Sequence, residues 1–211
     1  MTYLVLVRHG ETVWHAENRY AGLSDVALTT RGLEQAAQLA AWARTARFAA
    51  VWSSPLSRAQ LTGSALKVDE RLRELNFGAG DGLTSAEMSA RFHEALEAFR
   101  ADPAANPLPD GEDPHKAADR FTACLHDIAE QHPDGRVLVV AHTTAIRLAL
   151  CRLIGVPLSE YRRLFPFVRN CGITELRLTD GQTSVLEFNT PIEPEGFRVA
   201  GPPVGVSNRA F

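Results

Sequence analysis

A three-layer α/β/α sandwich with a mainly parallel central sheet is what the sequence predicts, and three observations carry that prediction. Short apolar runs rich in β-branched residues recur along the chain, as YLVLV (3–7), AAVWSS (49–54) and RVLVVA (136–141). Continuous runs of this kind suit strands buried on both faces of a parallel sheet. Each run is followed by a segment of helical period, and alternating β and α elements assemble into a sheet covered by helices on both sides. At 211 residues the chain is long enough for one well-buried core and short for two. Residues 1–190 are therefore read as one domain, and 191–211, rich in Pro and Gly, as an irregular tail.

The elements follow in order. Thr29 caps a helix over TTRGLEQAAQLAAWAR, with Leu33, Ala36, Ala37, Ala40 and Ala41 as its apolar positions. After the second strand, Ser54 and Pro55 mark a helix start with proline in the first turn, which puts Arg58 in that turn as well. Thr84 and Glu87 stand at capping-box spacing ahead of an amphipathic run. ADPAANPLPDGEDP (101–114) is a proline-rich loop, and HKAADRFTACLHDIAEQHP a helix closed by Pro133. The third strand feeds a helix over TAIRLALCRLIG (144–155). GITELRLTDGQTSVLEF alternates about Asp180 and Gly181, the pattern of a β-hairpin.

Composition narrows the function classes. A content of 45% hydrophobic and 22% charged residues is that of a globular protein. A formal net charge of −3 argues against nucleic-acid binding by broad electrostatic attraction. The longest apolar window, VLVVAHTTAIRLALCRLIGV, is interrupted by His142, Arg147 and Arg152, so it is no membrane span. No basic leader precedes the first apolar run, and a cytoplasmic location is expected. Cys124, Cys151 and Cys171 lack CxxC spacing and read as buried reduced thiols. A homodimer is compatible with this composition, although no motif specifies one.

Three of the predicted strands end at Arg8 and His9, at Ser53 and Ser54, and at His142. In open α/β sheets ligands bind beyond the carboxyl ends of the strands, where the chain enters helix N-termini. Arg8, Arg58, His9 and His142 gathered there make a concentrated anion site, since guanidinium forks match phosphate oxygens. A neutral imidazole is a competent nucleophile toward phosphorus, so attack by His9 would split one hard displacement into two easier ones. His9, His15, Glu11 and Asp25 are the only conceivable metal ligands nearby. No HExxH or HxH spacing supports them, two arginines in the cleft would repel a cation, and no metal is expected.

These residues resemble the histidine phosphatase superfamily, also called the phosphoglycerate mutase-like family. The resemblance lies in RHGET (8–12), ENRYAGLSDVALTTRGLEQA, SSPLSRA (53–59), RELNFG (73–78) and VAHTTAIR (140–147), in the family's order across residues 3 to 180. It implies a phosphoglycerate mutase-like fold, with His9 as the phosphorylated nucleophile and Arg8, Arg58 and His142 as the phosphate pocket. Glu74 is implied as the acid that protonates the leaving oxygen and later activates water. His15, Gly22 and Thr143 complete the expected phosphate-binding set. His15 stands where the family often has asparagine, Thr143 where glycine is common, and Gly80 and Asp81 where many phosphatases have Trp and Glu.

Within the family, mutases carry a long basic insert between the acid and the second histidine. Here Glu74 and His142 are close in sequence, and the stretch 101–114 is acidic and proline-rich. Ala21 and Phe77 also replace hydroxyl-bearing residues usual in mutases. A metal-independent phosphatase acting on a small phosphorylated metabolite, without a cofactor, is favoured. A 2,3-bisphosphoglycerate-dependent phosphoglycerate mutase comes second, and a non-catalytic phospho-ligand-binding module third. Residues 76 to 120 and the tail frame the entrance, and their mixed apolar and acidic character points away from a highly anionic substrate.

Overall fold

The computed structural model describes residues 1–64 and 67–192. Strands β1 (Thr2–Arg8), β2 (Ala50–Ser53), β3 (Lys67–Val68), β4 (Arg136–Ala141), β5 (Ile173–Thr179) and β6 (Gln182–Thr190) form one sheet in the order β3-β2-β4-β1-β5-β6. β1 runs parallel to β4, and β2 parallel to both β3 and β4. β5 is antiparallel to β1 and to β6, which adds an antiparallel edge to the mainly parallel sheet. The hairpin turns on Asp180 and Gly181, whose φ angles of 49° and 74° are the left-handed values that a two-residue turn between twisted strands requires. The expected tail lies outside the described residues beyond Ile192.

Alternation along the strands divides the core between the two faces. Leu4, Leu6, Val137 and Val139 point toward Phe121, Leu125, Ile128, Ile146 and Leu150. These belong to helices α4 (Pro114–Gln131) and α5 (Thr143–Ile154). Val5, Val7, Leu138 and Val140 point the other way, toward Leu39 and Ala59 on α1 (Thr30–Thr45) and α2 (Ser57–Gly63). Two-sided burial explains why these strands read as unbroken apolar runs. A third cluster packs α3 (Ser85–Ala101) and α6 (Tyr161–Leu164) through Phe99, Leu96, Met88 and Tyr161. The capping box at Thr84 and Glu87 forms as the spacing predicts, and α3 is kinked at Phe92.

Two local expectations are corrected. α1 buries Gly32, Ala36 and Leu39, leaving Leu33 half exposed and Ala37 and Ala41 in solvent. The helix is turned because Gly32 lies against the loop after β1, where a Cβ would stand 2.1 Å from the Glu11 carbonyl oxygen. α2 begins at Ser57 with Leu56 as its cap, two residues later than Ser54 and Pro55 suggest. The Ser54 hydroxyl is shared between His142 Nε2 (2.7 Å) and the Leu56 N–H (3.3 Å). The late start leaves Arg58 in the first turn of α2, as predicted.

The Gly32 contact yields a stability prediction. Alanine favours a helix over glycine by about 1 kcal/mol, but here its methyl must displace backbone, so Gly32→Ala is expected to destabilise by about 2 kcal/mol net. Urea unfolding midpoints measure it, and an unchanged or raised midpoint would show that the loop yields freely.

Candidate active site

Parallel register brings the strand ends together. Arg8 pairs with Ala141 and Ser53 with Val140, so His9, Ser54 and His142 leave the sheet side by side. The backbone N–H groups of His9 and Ser54 still donate to Ala141 and Val140 (both 3.0 Å). The His9 and His142 rings lie 5.2 Å apart between centroids, and both residues are buried. Arg8, His9, His15, Arg58, Glu74 and His142 gather in one pocket; Thr143 opens α5 beside them, and Gly22 supports it through its carbonyl.

His9 Nδ1 lies 2.7 Å from the Gly10 carbonyl, to which it can only donate, so in the neutral ring Nε2 is left without a proton. The loop behind it is tied by Gly10 N–H to Thr62 Oγ1 (2.9 Å), whose hydroxyl in turn donates to the Arg58 carbonyl. Arg58, fully buried, donates to the carbonyls of Ser24 (2.7 Å) and Gly22 (2.8 Å). Gly22 therefore supports the pocket by holding Arg58. It has φ +42, and a Cβ there would strike the Asp81 carboxylate. Arg8 donates to the Val168 carbonyl (2.7 Å) and lies 2.6 Å from His15 Nε2. His15 Nδ1 lies 2.8 Å from the Thr12 hydroxyl, to which the neutral ring donates, while Nε2 accepts from Arg8, whose guanidinium can only donate.

Glu74 is buried at the N-terminus of α5. Its carboxylate accepts from the N–H groups of Thr144 (3.1 Å), Ala145 (2.8 Å) and Leu75 (2.8 Å). The loop that carries it is fixed from α4: Arg120 donates to the carbonyls of Arg71, Arg73 and Glu74 while paired with Glu112.

The pocket is strongly cationic and short of acceptors. Arg8 Nε, Arg58 Nε and His142 Nδ1 are buried without a hydrogen-bond partner. Burial lowers the Arg8 guanidinium to about 10, with Arg147 the next cause, and also lowers Arg58. Burial and then Arg8 hold His9 well below the usual imidazole range, and burial and then Arg58 do the same to His142. His15 is pushed down to about 3 by burial and then Arg8. All three rings are therefore neutral at pH 7. Among the described residues no group of three or more His, Cys, Asp or Glu is placed to hold a metal ion, and no helix is long and apolar enough to cross a membrane. The three cysteines are buried and unpaired, and burial raises their thiols.

Several supporting residues were not singled out from the sequence. Asn170 donates to the His9 carbonyl (2.8 Å) and approaches His15 Nε2 (3.3 Å). Asp81 accepts from Leu23 N–H (2.9 Å) and Phe77 N–H (3.1 Å), joining the Arg58 loop to the Glu74 loop. Thr62 and Arg120 act the same way. Each works through backbone groups, which leave no pattern in side-chain spacing. Only the departure at Asp81 from the family's glutamate hinted at a role.

Fold and site together define an α/β protein with two guanidiniums and two imidazoles gathered at the carboxyl edge of its sheet. The chain belongs to the histidine phosphatase superfamily (branch 1), which it matches over residues 4–191. It is 35% identical over 187 residues to a probable phosphoglycerate mutase of Citrobacter koseri, covering 83% of this chain and 85% of that protein. Among solved structures it is similar to YhfR of Bacillus stearothermophilus, with TM-score 0.83, 27% identity, and coverage of 92% of this chain and all of that one. A mycobacterial glucosyl-3-phosphoglycerate phosphatase in complex with VO3 superposes with TM-score 0.79 at 27% identity, over 90% of this chain and 99% of that one.

Proposed function

We propose that this chain is a phosphatase that hydrolyses a small phosphomonoester through a phosphohistidine on His9. The observation that carries the reading is the neutral His9 ring, anchored through Nδ1, with Nε2 free among Arg8, Arg58 and His142. Nε2 attacks phosphorus, the ester P–O bond breaks, and Glu74 gives its proton to the leaving oxygen. Water then attacks the phosphohistidine, Glu74 takes its proton, and the N–P bond breaks. Arg8, Arg58 and His142 hold the phosphoryl oxygens, meeting the charge that spreads over them. The N–H of Thr143 at the start of α5 adds a donor, and His15, accepting from Arg8, holds that guanidinium in place.

The similar structures include a phosphatase crystallised with VO3, which favours hydrolysis. The relatives named probable phosphoglycerate mutases favour mutase activity as the second reading. Against it stands the connection between α3 and α4, a short acidic loop without the basic residues that would hold a phosphoglycerate and exclude water.

Purified protein is expected to hydrolyse 4-nitrophenyl phosphate without added metal. Vanadate should inhibit it, because it mimics the five-coordinate transition state. EDTA should leave the rate unchanged, because arginines rather than a cation meet the developing charge. A phosphoglycerate mutase assay run in parallel should show little flux. Mutase flux exceeding hydrolysis would replace this reading with the second, and binding without turnover would leave the non-catalytic module.

A further inference from the structure

On the phosphatase reading the two central imidazoles serve the phosphoryl group in opposite ways. His9 offers a lone pair to phosphorus, whereas His142 must offer a hydrogen to a phosphoryl oxygen. A neutral ring carries a single N–H, so each needs a neighbour that decides which nitrogen holds it. For His9 that neighbour is the Gly10 carbonyl, which can only accept. Neither nitrogen of His142 meets a carbonyl.

Ser54 takes that place. Its hydroxyl oxygen lies 2.7 Å from His142 Nε2 and 3.3 Å from the Leu56 nitrogen, and among the described residues it has no other partner. Both Ser54 and His142 are fully buried, at 0% exposure. The Leu56 N–H can only donate, so the Ser54 hydrogen has one acceptor within reach, Nε2. Were Nε2 protonated instead, the hydroxyl oxygen would take two donors and its own hydrogen would be buried without an acceptor, a costly arrangement. Satisfying every group therefore puts a lone pair on Nε2 and the ring hydrogen on Nδ1. Ser53 cannot do this in its stead, because its hydroxyl donates to the Ser54 carbonyl (2.9 Å).

Nδ1 is buried without a partner. Besides burial, the groups that act on the His142 ring are Arg58, His9, Arg8 and Arg120, all of them basic, so an Nδ1–H among them lacks an anionic acceptor. The phosphoryl group attacked by His9 supplies one. A bare Nδ1 would instead set a lone pair against that oxygen.

We infer that Ser54 is a positioning residue: its hydroxyl donates to Nε2, holds the hydrogen of His142 on Nδ1, and so makes the ring a donor to the phosphoryl oxygens. Both imidazoles are then the same tautomer turned opposite ways, His9 presenting bare Nε2 and His142 presenting Nδ1–H. The inference rests on the phosphatase reading and adds to it a residue that the hydrolysis itself does not touch.

Long-range proton–nitrogen NMR of the labelled protein reads the tautomer, with the His142 signals identified by their loss in His142→Gln. Nδ1 should show the protonated type and Nε2 the bare type; the reverse overturns the proposal. Ser54→Ala should lower kcat/KM on 4-nitrophenyl phosphate and weaken vanadate inhibition, each by about 10- to 100-fold, the worth of a buried group left unsatisfied. Ser54→Thr, which keeps the hydroxyl, should recover most of the loss. Ser54→Cys, a weaker donor of similar size, should recover part and serves if the threonine methyl prevents folding. In a His142→Gln background Ser54→Ala should cost little more, because residues that act as a unit are non-additive. An equal loss in both backgrounds would mean that Ser54 only starts α2 through Leu56, and Ser54→Ala activity near wild type would overturn the proposal while leaving the phosphatase reading standing. If wild type hydrolyses nothing, the phosphatase reading falls, and calorimetric vanadate binding decides Ser54: affinity about tenfold weaker in Ser54→Ala supports the role, and equal affinity overturns it.

Discussion

His9→Ala is expected to lower kcat by about 10⁴-fold or more on every phosphomonoester, the scale seen when a covalent nucleophile is removed. Neither neighbouring imidazole is placed to substitute. His142 Nε2 is 2.7 Å from the Ser54 hydroxyl, and both His15 nitrogens are engaged by Thr12 and Arg8. The variant should also lose any acid-labile, base-stable phosphoprotein formed when labelled substrate is quenched during turnover. The fold should survive, because the strands that set the pocket are held by Leu4, Leu6, Val5 and Val7 rather than by the imidazole. A His9→Ala protein that melts like wild type and retains a tenth of its activity would remove His9 from the mechanism.

Much of this architecture was legible from the chain, for identifiable reasons. Two-sided burial writes β1 and β4 as unbroken apolar runs, and parallel order then makes their carboxyl ends neighbours, so Arg8, His9 and His142 were placed by topology before any contact was known. Capping residues with local partners, Thr29 and Thr84, were readable because their acceptors and donors lie within three residues. What failed was decided at long range. The rotation of α1 depends on Gly32 meeting the Glu11 backbone, and the late start of α2 on Ser54 turning to His142 across 88 positions.

Glu74→Gln is the second large effect, and its size should depend on the leaving group. Oε1 receives two N–H donors, from Leu75 and Ala145, while Oε2 receives only the longer bond from Thr144. Oε2 is thus the oxygen with room for the proton that a departing alkoxide needs. An amide at this position cannot carry that proton, and turning its NH2 toward Thr144 would set donor against donor. Alkyl phosphates, whose leaving oxygens are poor, are expected to lose about 10² to 10⁴ in kcat/KM, the usual contribution of general acid catalysis. 4-Nitrophenyl phosphate expels a stabilised phenolate that needs no proton, so its cleavage should fall far less, with dephosphorylation becoming the slow step because water has lost its base. A pre-steady-state burst of nitrophenol should then appear in the variant. Equal losses on both substrates with no burst would mean that Glu74 only anchors its loop to α5, and that the proton comes from elsewhere.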